Sequence, residues 1–174
     1  MQKKYSNFYK FNNLKSTAMN YQLDEIDKKI LDFLVENTRM PFTEIAKQMD
    51  VSAGTIHVRV KKMEDAGIIL GSSLNIDYGK LDYHFTAFIG ILLTKSNRTQ
   101  EVLKELATIP NVVEASVISG KYNIFCKVRA KNTEDAKRII YQIDDIQDVM
   151  RTESMISMEE YLSDRNRLIN AISI

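Results

Sequence analysis

Hydrophobic residues recur at three- and four-residue steps from Ile26 to Met63. Beyond a Gly-, Ser- and Asn-rich passage they recur at every second position in several short runs. The first period belongs to helices and the second to strands, so one uniform layer cannot satisfy both. A chain of 174 residues has room for two small domains, one after the other. The switch of period predicts an α+β protein.

Asp24, Glu25 and Asp27 form the acidic first turn of a helix that carries Ile26, Ile30, Phe33 and Leu34 on one side. "ENTRMP" breaks it, because Pro41 is tolerable only near the start of the next helix. "PFTEIAKQM" is a short second helix with Ile45, Ala46 and Met49 inward. After the link "DV", Ser52 is the expected N-cap of a third helix with Ile56, Val60 and Met63 on one face and Gly67 at its stop. Helix, two-residue turn and capped helix is a helix-turn-helix spacing. Residues 1–20 are expected to be a flexible arm, 21–72 the helical domain and 73–83 a linker.

From His84 the order changes. "HFTAFIGILLT" is a strand, "RTQEVLKELATI" a helix with Val102, Leu103 and Leu106 inward, and "NVVEASVIS" a strand. A "GK" turn leads to the strand "YNIFCKVRA", then to the helix "TEDAKRIIYQIDDI" opened by Asn132 or Thr133, and to the closing strand "VMRTESMISM". The order βαββαβ predicts a ferredoxin-like domain over 84–161, with 162–174 as a short tail.

Composition narrows the chemistry. No stretch approaches the roughly 18 consecutive apolar residues of a membrane span, and no secretion signal opens the chain. The single cysteine, Cys126, forbids an internal disulfide and fits a reducing cytoplasm. It alternates with Ile124 and Val128 and reads as a core residue. The only histidines, His57 and His84, fall in different domains, with no catalytic or metal-ligand spacing. An enzyme, a metal site and a cofactor are therefore not expected. Net charge is +1, and residues 1–23 hold Lys3, Lys4, Lys10 and Lys15 with no acid. Bulk charge cannot carry nucleic-acid binding in such a chain, so any such binding needs a local patch.

The third helix offers one. With Ile56 pointing into the core, Val60 and Met63 lie within about 40° of it. Ser52, Ala53, Gly54, Thr55, His57 and Val58 supply small or flanking residues at the N-terminal end, and Arg59, Lys61 and Lys62 follow. Small residues let a helix backbone approach the floor of the major groove, and the cations then reach phosphates or guanine edges. Taken alone, the same run suits an ordinary solvated face. The preceding "TEIAKQMDVS" adds weight to double-stranded DNA as the partner.

"LDEIDKKILDFLVENTRMPFTEIAKQMDVSAGTIHVRVKKMEDAGII" closely resembles the opening domain of the Lrp/AsnC (feast/famine) transcription regulators. The matching positions are Leu23, Asp24, Asp27, Ile30, Leu31, Val51, Ser52, Ile56, Arg59, Val60, Met63, Gly67 and Ile69. "RTESMISMEEYLSDRNRLI" is similar to the tail of the leucine-responsive members, and the resemblance spans about residues 23–170. It implies a three-helix winged helix-turn-helix, followed by a ferredoxin-like domain that forms homo-oligomers and senses a small metabolite. Such regulators bind DNA as dimers, and dimers assemble further, up to an octamer.

Gly120, Lys121, Tyr122 and Asn123 form the turn between two strands. Backbone amides and Lys121 suit a carboxylate, and an amide oxygen suits an ammonium, so the turn can hold a zwitterion; a plain hairpin turn fits the same residues. The resemblance implies that the turn borders an amino-acid effector site, with Thr152 and Ser154 supplying hydroxyls. Asn123 stands where the family usually carries Asp. The alternative to a specific, effector-sensing regulator is a nucleoid-architectural DNA-binding protein with little sequence preference or no effector.

Overall fold

The computed structural model describes residues 21–164 and 166–172. The expected arm over residues 1–20 lies outside the described residues. Two units form: residues up to Leu74 together with those from Asp164 onward, and Asn75–Ser163.

The first unit contains α1 (Glu25–Glu36), α2 (Phe42–Met49) and α3 (Ala53–Asp65). Each boundary has a local cause. The Asp24 carboxylate accepts from the Asp27 amide, and the Asp27 carboxylate accepts from the Asp24 amide, a reciprocal capping box at α1. Pro41 stands at the N-cap of α2, where its missing N–H leaves no bond unmade. Asp50 takes the left-handed conformation, φ 54°, to turn the chain into α3. The Ser52 hydroxyl accepts from the Thr55 amide at 3.0 Å as the expected N-cap. Gly67, φ 73°, ends the run by letting the Ile68 and Ile69 amides return to the Met63 carbonyl. Ile30, Leu31, Ile45, Ala46, Ile56, Val60 and Met63 form one core.

Among the described residues, 66–78 contain no strand, so no wing ladder is seen there. Ile169, on the 3-10 turn Arg167–Ala171, packs against the helical core.

The second unit runs β1 (Phe85–Leu93), α4 (Thr99–Leu106), β2 (Val112–Val117), β3 (Ile124–Ala130), α5 (Thr133–Asp144) and β4 (Val149–Ile156). The strands form one antiparallel sheet in the order β2-β3-β1-β4. This is the expected βαββαβ arrangement. Asn132 caps α5 through the Asp135 amide. Alternation puts Ala87, Ile89, Ile91 and Leu93 of β1 and Ile124, Cys126, Val128 and Ala130 of β3 against α4 and α5. Cys126 is buried there, and burial pushes its thiol up to about 12, so it is a small apolar side chain in practice. The other sheet face presents Phe88, Gly90, Phe125, Lys127, Arg129 and Glu153. Phe88 and Phe125 stack there with centroids 5.9 Å apart. Glu160, beyond β4, pairs with Lys127 and Arg129. The span 73–83 is partly ordered: Gly79–Leu81 form a 3-10 turn, and Tyr78 meets Tyr83 edge-on at 6.4 Å.

Candidate functional site

Helix α3 turns Ile56, Val60 and Met63 inward and leaves Gly54, His57, Val58, Lys61 and Lys62 exposed. Glycine inside a helix is less favourable than alanine by about 1 kcal/mol. Among the described residues nothing at Gly54 requires that loss: an added Cβ would meet only the Ser52 hydroxyl, at an ordinary 3.7 Å. Val58 is likewise an apolar side chain left 53% exposed. A bare end and an unburied valine one turn later leave this face of α3 open. Lys61 pairs with Asp65 at 2.7 Å across one exposed turn, a contact weak enough to exchange for a phosphate. Lys62 has no ion pair among the described residues. With Gly54, Thr55 and Val58 it borders an open hollow of about 540 Å³.

Three of the expected DNA-facing residues also make contacts within the helical unit. Ala53 packs against the helical core. His57 leans on Phe42 of α2, with centroids 6.0 Å apart. Arg59 turns back to the start of α1, its guanidinium 2.8 Å from Asp24 Oδ2 and 2.9 Å from Asp27 Oδ1. Asp27 is 1% exposed and also accepts from the Tyr21 hydroxyl at 2.9 Å. The Asp27 and Asp24 contacts hold the Arg59 proton more tightly than usual. Chiefly through the Asp27 amide, and then through Arg59, the Asp24 carboxyl lies below its usual range. Arg59 therefore ties α3 to the start of α1 while its side chain, 24% exposed, lines the same hollow as Gly54, Val58 and Lys62.

In the second unit the expected effector residues separate. Gly120 holds φ 116°, a conformation that a side chain would strain. Lys121 Nζ and the Tyr122 hydroxyl both reach Glu153 Oε2, at 2.6 Å each. The Lys121 ammonium also lies 5.1 Å from the Tyr122 ring centre. This cluster stands on the sheet face away from the helices. Thr152 and Ser154 are paired with Ile91 and Ile89, on the helix-facing side, and Thr152 donates to Asp144 at 2.8 Å. The sheet lies between the two hydroxyls and the Lys121–Tyr122 pair. Asn123 is bonded into the end of β1 through the Leu93 amide.

Sequence reasoning misses Glu153 and Gly90. Alternation on β4 puts Glu153 opposite to its neighbours Thr152 and Ser154, but only the strand register reveals that it meets Lys121. The Tyr122 ring lies flat on Gly90, where a Cβ would come within 2.7 Å of three ring atoms. Gly90→Ala is expected to displace Tyr122 and lower stability by about 1–3 kcal/mol. Urea unfolding of Gly90→Ala, Tyr122→Ala and the double variant checks this, since the two losses should fall well short of adding.

Among the described residues no cluster of three His, Cys, Asp or Glu could hold a metal ion. Among them, too, no helix is long and apolar enough to cross a membrane.

Residues 23–64 match the AsnC-type helix-turn-helix domain, and residues 86–167 match the Lrp/AsnC ligand binding domain. Regulatory protein AsnC of Haemophilus influenzae is 40% identical over 140 residues, which covers 80% of this chain and 93% of that one. Its Escherichia coli K12 counterpart is 38% identical over 141 residues, with the same coverage. The solved E. coli AsnC structure superposes with a TM-score of 0.78 at 35% identity, over 82% of this chain and 97% of that one. The Neisseria meningitidis regulator NMB0573, solved as an L-Met complex, shares the fold with a TM-score of 0.77 at 19% identity, over 83% of this chain and 95% of that one.

Proposed function

Because the chain belongs to the Lrp/AsnC family of transcriptional regulators and carries that family's ligand-binding domain, we propose that it reads specific DNA sites through α3 and senses an amino acid. The observation that carries the DNA reading is the outer face of α3, where Gly54 and Val58 have no packing duty and Lys61 and Lys62 follow. Thr55 and Val58 face base edges, Ser52 and Gly54 allow close approach, and the two lysines meet phosphates. His57 flanks this face from its seat on Phe42.

The ligand-binding domain supports a small effector. The L-Met bound to the Neisseria protein of the same fold supports an amino acid as its class. Lys121 and Tyr122 border the site from the turn, with Gly120 and Asn123 setting its backbone. Thr152 and Ser154 belong to a neighbouring surface on the other side of β4. The sheet face bearing Phe88, Phe125 and Met155 suits a second copy of the chain, so that a dimer presents two α3 helices about 34–36 Å apart. Dimers then assemble further, up to an octamer. The working compartment is the cytoplasm. Binding of the effector between copies shifts DNA affinity by favouring one assembly state over another.

The test is the salt dependence of DNA affinity. Lys62→Ala should weaken binding about equally on every DNA sequence and flatten the log–log salt slope by about 0.9 for each phosphate that the lysine neutralises. An unchanged slope would remove Lys62 from the DNA-binding face.

A further inference from the structure

Each polar group of Asn123 is engaged at the end of β1. Its side-chain oxygen accepts from the Leu93 amide at 2.9 Å, and its side-chain nitrogen donates to the Ser96 hydroxyl at 3.3 Å. Its backbone N–H donates to the Ile91 carbonyl at 2.9 Å, and its carbonyl accepts from the Ile118 amide at 3.2 Å. The pairing of β1 with β3 ends at Ile91 and Ile124, and the Asn123 side chain takes up the Leu93 donor just beyond it. The amide of Asn123 is thus held by the backbone end of β1 and by Ser96.

A carboxylate that reaches the same turn is Glu153. It sits on β4 opposite Gly90 and is held at 2.6 Å by both Lys121 and Tyr122, all three on one sheet face. Arg151 stands 3.4 Å from its second oxygen, too far for a strong bond. The Lys121–Glu153 pair is one cation and one anion, both in reach of solvent. We propose that Glu153, in place of residue 123, takes the α-ammonium of an amino-acid effector, and that Lys121 takes its carboxylate. The inference rests on the amino-acid reading above. A zwitterion entering between the two exchanges one ion pair for two and leaves no charge unmatched. An effector with only one charge leaves Lys121 or Glu153 without its partner, so the pair selects for the zwitterion.

Calorimetric titration of the full chain with each of the twenty amino acids tests this, followed by the 2-hydroxy acid with the same side chain as the amino acid that binds. Wild type should prefer the amino acid. Glu153→Gln keeps the shape and a hydrogen bond to Tyr122, and should weaken amino-acid binding by roughly 10- to 150-fold while leaving hydroxy-acid binding undiminished or tighter, since no carboxylate then loses its partner. Glu153→Asp, which keeps the charge, should restore part of the preference. Unchanged amino-acid binding in Glu153→Gln overturns the assignment and leaves the amino-acid reading standing. So does an equal loss for both ligands, which would mark Glu153 as structural only. If wild type binds none of the twenty, the amino-acid reading falls, and this inference with it.

Discussion

Arg59→Ala will lower the stability of the helical unit by about 2–3 kcal/mol. Breaking a fully buried ion pair from one side costs roughly 3–5 kcal/mol, because the remaining charge loses its partner. Here the guanidinium is 24% exposed and its Asp24 partner is half exposed, so solvent screens part of that loss. Asp27, at 1%, is not screened, and without Arg59 only the Tyr21 hydroxyl and the Asp24 amide, among the described residues, remain on its carboxylate. Urea unfolding followed by circular dichroism measures the change. Asp27→Asn combined with Arg59→Met should recover much of the loss, since it removes both charges and keeps the volume. The Asp24 carboxyl adds a pH signature. Its folded pKa is depressed, so its contribution is complete above the unfolded value of about 3.9 and disappears as pH falls through the lower folded value. If Arg59 were instead a DNA contact free of these acids, Arg59→Ala would weaken DNA binding at unchanged stability.

Val58→Glu will abolish useful DNA binding while leaving the fold in place. The side chain is 53% exposed and contributes little to the helical core, so its replacement removes no packing worth measuring. On the DNA face the new carboxylate would lie among phosphates and base edges, where like charges cost several kcal/mol. Affinity should fall by about 100-fold or more, equivalent to roughly 2.7 kcal/mol. Tyr141→Glu is the control: Tyr141 is 57% exposed on α5, in the second unit, and its replacement should leave DNA affinity unchanged. Equal unfolding midpoints for Val58→Glu and wild type show that the effect is at the surface.

Much of this architecture was legible in the sequence because its causes are local. Ser52 and Asn132 cap the helices that follow them, and Gly67 turns at the end of α3. Alternation in "YNIFCKVRA" puts Cys126 in the core. What could not be read depends on residues far apart in the chain. A helical wheel places Arg59 at the edge of the inward face but cannot know that Asp24 and Asp27, more than thirty residues earlier, lie against it. Period-two spacing correctly pairs Thr152 with Ser154 on one face, but only strand register shows that Lys121 and Tyr122 stand on the other, with Glu153. Strand formation after Gly67 is equally non-local, since a segment becomes a strand only beside a partner, and 66–78 carry none among the described residues. The match at Gly120 correctly marks a glycine-requiring turn, while the amide at Asn123 serves the end of β1.

The central claim, that α3 reads sequence, is tested most directly by fluorescence anisotropy. The purified full chain is titrated onto its own upstream DNA and onto a scrambled duplex of equal length and composition, at one fixed salt concentration. The account predicts affinity for the upstream DNA at least about 1000-fold tighter than for the scrambled duplex, the lower end for specific recognition. It also predicts that Val58→Glu removes that preference. Equal affinity for the two duplexes would contradict it, and would identify a DNA-binding protein that packages without reading.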